Sequence, residues 1–376
     1  MTAGFVFNEK PLRIDSGEGP YLYGEDGTEY LDAGASYAVT PIGHSHPAVV
    51  DAVTEQAQSL TYVQGSYPMD VRDRLYAQLS ALAPGDISKV WLCNSGTEAN
   101  EAAIKFARSA TGRSKIIAAQ RSFHGRTLGA LAATWKQKYK QSFEPLAGDF
   151  EFVPYGDEAA LEAAIDEETA AVLLEPVQGE GGINPAPDGY LERARELTTD
   201  TGAALVLDEI QTGLGRTGSI WATEQADVVP DILTTAKGLA SGFPMGATLC
   251  REWIADAPGN HGSTFSGTPV VCAAASATID VLTEQALDDH AAEVGTTLQE
   301  GLVDAIGDDV RDVRGEGLMI GIEVKRGANR LLPTLALEEG VLALPAGRSV
   351  VRLLPPLIIE KHHAERITEA ITAVIT

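Results

Sequence analysis

The 376-residue chain has little of three things: cysteine, positive charge and uninterrupted apolar sequence. Its three cysteines, Cys93, Cys250 and Cys272, stand far apart with no C-x-x-C spacing. That excludes a disulfide framework and a zinc knuckle, and reduced, buried thiols are expected. Lysine and arginine number 28 against 53 aspartates and glutamates, a net charge of −25. Such a field repels phosphate backbones and anionic lipid heads, and the sequence read alone shows no Lys/Arg cluster overriding it, so no nucleic-acid or membrane partner is expected. No run approaches 18 apolar residues, and residues 1–8 meet an acid and Lys10 before any apolar stretch develops. A membrane span and a leader are therefore not expected, and a cytoplasmic location is. The acids are spread along the chain and arginines outnumber lysines. The expectation is a salt-adapted surface, self-repelling in dilute buffer and screened by salt.

What the chain does have is apolar content of 44%, close to the globular norm, in a length that holds two to three units of roughly 150 residues. Short apolar runs alternate with longer stretches of helical period. Strands are expected at 89–93, 115–119, 150–153, 171–174, 204–207 and 231–234, with helices at 100–110 and 190–201 among the connections. Runs apolar on both faces, joined by helical crossovers, are what a parallel sheet requires. The fold class is α/β with a sheet of six or seven strands. Residues 1–40 read as an N-terminal arm, 41–265 as a large domain, and 266–376 as a helix (about 270–299) leading into a smaller α+β domain with strands at 318–324 and 350–354.

Three features carry chemistry. Ser95 with Glu98 three residues later forms a capping-box pattern after a strand, and the free first-turn N–H groups around Gly96 and Thr97 suit a phosphate. Asp208 ends a hydrophobic strand, where open α/β sheets place their ligands. Lys237 stands alone just past the next apolar strand, where desolvation yields the neutral amine that attacks carbonyls. Read singly, each has a plain structural alternative: a capped helix, a turn-capping acid, a snorkelling lysine. Together they are the anchor, the ring-nitrogen partner and the imine-forming amine that pyridoxal 5'-phosphate needs. A literal G-x-G-x-x-G spans Gly213 to Gly218, but it opens no evident helix and has no suitably placed downstream acid, so the dinucleotide reading fails. His44 and His46 have H-x-H spacing without a third ligand, so a structural loop is preferred and no metal is expected.

The runs SGTEANEAAIKFAR (95–108), FHGRT (123–127), EPVQGEGG (175–182), LDEIQTGLGRTG (207–218), TTAKGL (234–239) and GSTFSGTP (262–269) resemble the motif series of class III aminotransferases of fold type I, in order and spacing along nearly the whole chain. Within that class the chain resembles the acetylornithine branch, and most closely the enzymes acting on lysine or ornithine precursors held on a small acidic carrier protein. GASYAVTPIGH (34–44), TWKQKY (134–139), VLALPAG (341–347) and VVRLLPPLIIEK (350–361) carry that closer likeness.

The resemblance implies a large domain with a mostly parallel seven-stranded sheet, a smaller C-terminal domain, and a site built across a homodimer. It implies that Lys237 holds the cofactor aldehyde and shuttles the proton, and that Asp208 pairs with the pyridinium. Gln211 would reach the ring's phenolic oxygen, Phe123 and Ile210 would cover its two faces, Gly96 and Thr97 would take the phosphate, and Thr264 would reach the partner subunit's phosphate. Arg126 would grip the carboxylate of the longer amino substrate and Arg352 that of glutamate or 2-oxoglutarate. Glu180 would cover Arg352 in between, and Ser263 and Tyr37 would add polar contacts. Two departures, Ser266-Gly267-Thr268-Pro269 and Ala38-Val39-Thr40-Pro41, fall near the expected dimer-side wall. The implied activity is transamination between glutamate and the terminal aldehyde of an N-protected ornithine or lysine precursor, in arginine or lysine biosynthesis. The alternatives are another ω-aminotransferase, an aminomutase, a nicotinamide dehydrogenase and a non-catalytic relative. An acidic enzyme docking an acidic carrier needs a local basic rim, which the sequence alone does not locate.

Overall fold

Six of the apolar runs become strands of one seven-stranded sheet in the computed structural model, which describes residues 10–306, 310–325 and 327–375. The first nine residues of the expected arm lie outside the described residues. Across the sheet the order is Lys89–Cys93, Gly246–Cys250, Ile232–Thr235, Ala204–Asp208, Thr169–Leu174, Lys115–Ala119, Asp149–Val153. The five strands from Ile232–Thr235 to Asp149–Val153 run parallel, and Gly246–Cys250 is antiparallel to both its neighbours. This last strand was not among those expected: GATLC is short and begins on glycine, although every residue of it is buried. The glycine has a packing reason, since a Cβ on Gly246 would meet the Ser95 carbonyl oxygen at 2.6 Å. That close approach presses the strand against the start of the helix Gly96–Thr111.

The helix Gly96–Thr111 lies on the sheet through a face of small residues, Ala99, Ala102, Ala103 and Ala107, anchored by buried Ile104 and Phe106. Burying each of those two large side chains contributes roughly 1.5–3 kcal/mol. Gly112 in the left-handed conformation ends the helix. On the opposite face the helix Tyr190–Thr201 seals a second cluster with Leu205 and Leu207.

Toward the C-terminus an antiparallel sheet runs Val310–Glu316, Met319–Val324, Val350–Leu353, Leu344–Ala346. The arm's three strands, Ile14–Glu18, Tyr21–Gly24 and Glu29–Asp32, form a separate sheet completed by Val341–Leu342. The single helix expected over about 270–299 is instead two, Pro269–Glu284 and Leu287–Ile306, bent by 64°. Ala286 sits at φ +48°, a left-handed conformation that an α-helix cannot contain. Among the described residues no single helix is long and apolar enough to cross a membrane.

Candidate active site

Asp208 stands opposite Thr234 in the parallel pairing of their strands, so Asp208 and Lys237, three residues past Thr234, emerge at the same carboxyl edge of the sheet. Both line one cavity of about 440 Å³. Gly96, Thr97, Phe123, Ile210 and Gln211 also line it, as do Arg126 and Glu180.

Lys237 opens a short 3-10 turn, Lys237–Ala240, with φ at +37°, an uncommon conformation for a side chain with a Cβ. Burial lowers its amine to about 8, Arg352 pushes the same way, and the carboxylates of Glu180, Asp208 and Glu175 oppose them. A substantial fraction is therefore neutral and nucleophilic near pH 8, where an ordinary lysine is cationic.

Asp208 is buried and held on both oxygens. Oδ2 accepts from Asn100 Nδ2 at 2.7 Å and lies 2.7 Å from His124 Nδ1, and Oδ1 accepts from the Ile210 amide at 3.1 Å. Asn100 is fixed in turn by Thr234, whose hydroxyl donates to its amide oxygen at 2.9 Å. Burial disfavours charge on His124, but the hydrogen bond to Asp208 and the nearby charges outweigh it and raise its pKa. Glu175 lies behind this group, accepting from the amides of Phe123 at 3.1 Å and Gly179 at 3.2 Å. Burial pushes it up to about 7. Asn100, His124 and Glu175 were not singled out from the sequence. Asn100 carried a signal, a polar residue on the buried alanine face of its helix; the other two lie inside motif runs without distinguishing spacing.

At the phosphate end, Ser95 Oγ accepts from the Glu98 amide at 3.3 Å as a cap should. The Glu98 carboxylate reaches one residue further back than a capping box predicts, to the Asn94 amide at 2.7 Å and its side chain at 2.8 Å. The amides of Gly96 and Thr97 stay unpartnered among the described residues, at the positive end of a 16-residue helix. Ile210 packs so closely over this turn that a Cβ on Gly96 would lie 2.8 Å from its Cδ1. The Thr97 hydroxyl is tied to Thr127 Oγ1 at 2.8 Å and accepts from the Arg126 amide at 3.2 Å.

Arg352 is fully buried. It donates to Glu180 Oε1 at 2.7 Å, Gln211 Oε1 at 3.0 Å and the Pro345 carbonyl at 3.1 Å, while its Nε has no partner among the described residues. Its guanidinium lies 5.2 Å from the ring of Tyr37. Gln211 is thus turned toward Arg352 here. Arg126 is exposed, its guanidinium 4.6 Å from the Tyr139 ring and 5.8 Å from that of Phe123. Ser263 and Thr264 are not brought to the cavity wall: Ser263 Oγ accepts from Asn94 at 3.1 Å, and the exposed Thr264 offers its carbonyl to Tyr62. The two histidines are engaged locally, His44 with Asp32 at 2.9 Å and His46 as the cap of the helix Pro47–Ser59. The glycines of 213–218 lie in turns and open no helix.

These residues fit pyridoxal 5'-phosphate: unpartnered helix N-terminal amides for a phosphate, an amine of lowered pKa, an acid oriented from three sides, and Phe123 and Ile210 lining the space between. They define a fold type I pyridoxal-phosphate-dependent transferase. The sequence profile described as aminotransferase class-III matches residues 6–375, and the chain belongs to that family. It is 45% identical to the acetylornithine aminotransferase of Methanopyrus kandleri over 96% of this chain and 93% of the relative. It is 41% identical to the [LysW]-aminoadipate semialdehyde transaminase of Deinococcus radiodurans, over 98% and 87% respectively. Among solved structures, the ornithine aminotransferase of Toxoplasma gondii ME49 superposes with a TM-score of 0.95 at 33% identity, covering 99% of this chain and 92% of that one. The N-acetylornithine aminotransferase of Stenotrophomonas maltophilia does so with 0.86 at 33%, covering 98% and 96%.

Proposed function

We propose that this aminotransferase moves an amino group between glutamate or 2-oxoglutarate and the terminal aldehyde of an N-protected ornithine or lysine precursor, in arginine and lysine biosynthesis. The observation that carries this reading is two guanidiniums held in different states: Arg126 exposed and lining the cavity, Arg352 buried behind Glu180 and Gln211, which line it. Transamination needs two carboxylated substrates in turn, and a masked clamp lets one pocket take both. Bound pyridoxal phosphate supplies the electron sink on which the amino group is exchanged.

The protein's residues do the rest. Lys237 holds the cofactor aldehyde and afterwards moves the proton at the substrate carbon. Asp208, kept in place by Asn100, His124 and the Ile210 amide, keeps the ring nitrogen protonated. Gly96 and Thr97 hold the phosphate, and Phe123 and Ile210 pin the ring. Arg126 takes the carboxylate of the longer substrate while Glu180 neutralises Arg352, and when Glu180 swings aside Arg352 takes the α-carboxylate of glutamate as a fork. Gln211 serves the ring oxygen, Tyr37 adds a polar substrate contact, and Ser263 acts through Asn94, which holds its hydroxyl and lines the cavity.

The reading includes a homodimer in which Thr264 reaches the partner's phosphate. Exposed Tyr67, Phe265 and Tyr62 support it, the last two with ring centroids 5.6 Å apart. It includes a cytoplasmic setting, supported by three free, buried thiols that burial pushes up to about 12. Half-reactions of the holoenzyme with glutamate, N-acetylornithine and N-acetyl-lysine test it. Glutamate-independent rearrangement of a diamino acid, with no turnover of either acetylated substrate, would point to a mutase instead.

A further inference from the structure

Glu180 covers Arg352, and it has to leave when glutamate arrives, yet its main chain is held in place. A Cβ on Gly179 would collide with the Gln211 side-chain amide, and one on Gly181 would lie 2.8 Å from the Arg121 carbonyl oxygen, so the backbone on either side packs against its neighbours. The Gly179 amide donates to Glu175 Oε1 at 3.2 Å, and the Glu180 carbonyl accepts from Lys136 Nζ at 2.7 Å. Leaving Arg352 is therefore a rotation of one side chain about a fixed backbone. Lys136 stands within reach of that rotation. It is half-buried just ahead of the short helix Gln137–Lys140 and does not itself line the cavity. Lys89 and Lys115 hold the carboxylates of Glu252 and Asp166, whereas Lys136 meets a carbonyl and no carboxylate among the described residues. An ammonium has three N–H donors, and the Glu180 carbonyl takes one of them. A nitrogen bonded to a residue's own main-chain oxygen lies within the sweep of that residue's carboxylate. Burial disfavours charge on Glu180, but Arg352, and after it Lys237 and Lys136, hold its pKa below the ordinary value. Burial likewise lowers the Lys136 amine, and Glu180 is the foremost charge opposing that.

We propose that Lys136 is the second seat of the Glu180 carboxylate, which pairs with Arg352 while the longer substrate is bound and with Lys136 while glutamate is bound. The proposal rests on the function proposed above and adds the residue that decides how easily Arg352 is uncovered. A carboxylate drawn off a buried guanidinium into a half-buried space without a cation loses the whole of its ion pair, and that loss opposes glutamate binding. An ammonium at the far end of the swing restores much of it. The side chain then has two discrete places, and the pocket two specificities. Lys136 is a positioning residue: it acts on the substrate through Glu180 and touches neither substrate nor cofactor.

The test follows the two half-reactions of the holoenzyme separately, one with glutamate and one with N-acetylornithine. Lys136→Gln keeps a donor for the Glu180 carbonyl and removes the charge. In this variant half-saturation with glutamate should need roughly 5- to 30-fold more substrate, with the limiting rate and the response to N-acetylornithine unchanged. Lys136→Arg, which keeps the charge, should recover most of the glutamate response. In a Glu180→Ala background Lys136→Gln should change nothing, because the carboxylate that Lys136 receives is gone. A wild-type glutamate response in Lys136→Gln, an undiminished loss in Lys136→Arg, or an equal loss with both substrates would each overturn the proposal. So would the same loss in the Glu180→Ala background, which would make Lys136 a support of the loop or a direct ligand of glutamate. A wild-type holoenzyme that gives no half-reaction with glutamate, or none with N-acetylornithine, would instead overturn the functional reading beneath it.

Discussion

Replacing Glu180 by alanine removes the carboxylate that masks Arg352. The pair is short, 2.7 Å, with the arginine side chain fully buried and the glutamate side chain 21% exposed. Solvent screening is therefore slight, and a hydrogen bond between charged groups in such a place is worth about 1.5–3 kcal/mol. In the wild type an incoming glutamate must displace that bond before its α-carboxylate can occupy the fork. With the competitor gone, the KM for glutamate should fall by roughly 10- to 100-fold. The same change works against the longer substrate, because a bare Arg352 draws its carboxylate into the wrong end of the cavity, and kcat/KM for N-acetylornithine should drop. A second readout is independent of substrate. The Glu180 carboxylate helps hold the Lys237 amine up against burial and Arg352, so the variant's Lys237 should deprotonate below its wild-type value of about 8. Steady-state kinetics with each substrate varied in turn decide the matter. An unchanged glutamate KM together with unchanged discrimination would refute the masking argument.

The pH dependence of cofactor capture by the apoenzyme should show Lys237 directly. Its amine is a cation and inert below its pKa, so the capture rate should rise with pH through a midpoint of about 8 and then level off; a midpoint near the ordinary lysine value of 10.5 would contradict the burial argument. Gly96→Ala should weaken pyridoxal phosphate binding by roughly 5- to 100-fold, because the new methyl meets Ile210 at 2.8 Å. Adding Ile210→Ala should recover part of the loss by equilibrium dialysis, and no recovery would place the damage elsewhere. Turnover of N-acetylornithine should hold or rise into molar salt if the net charge of −25 is a salt adaptation; a maximum in dilute buffer with a steady fall thereafter would exclude it.

The central sheet was legible because strands buried on both faces read as continuous apolar runs, and six of its seven members did. Gly246–Cys250 was not, since its burial comes from what packs on it and its glycine answers to the Ser95 carbonyl on another element. The bend at Ala286 was hidden for a related reason: alanine favours helix locally, and only the surrounding structure holds it at positive φ. At the site, Lys237 and Asp208 were visible because each follows an apolar strand, and strand order then brings them together. The support behind Asp208 was not, because Asn100, His124 and Thr234 come from three separate elements and meet only in the fold. Lys136 and Tyr139 were plain as residues, but the bond of the first to the Glu180 carbonyl and the packing of the second against Phe123 and Arg126 arise only in the fold.

Borohydride reduction of the holoenzyme followed by peptide mass spectrometry tests the central claim most directly, because it fixes the cofactor to whichever amine holds it. A single phosphopyridoxyl label on Lys237, lost in Lys237→Ala and reduced in stoichiometry by Asp208→Ala, is the predicted result. A label on Lys136, Lys138 or Lys140 with Lys237 unmodified would contradict it.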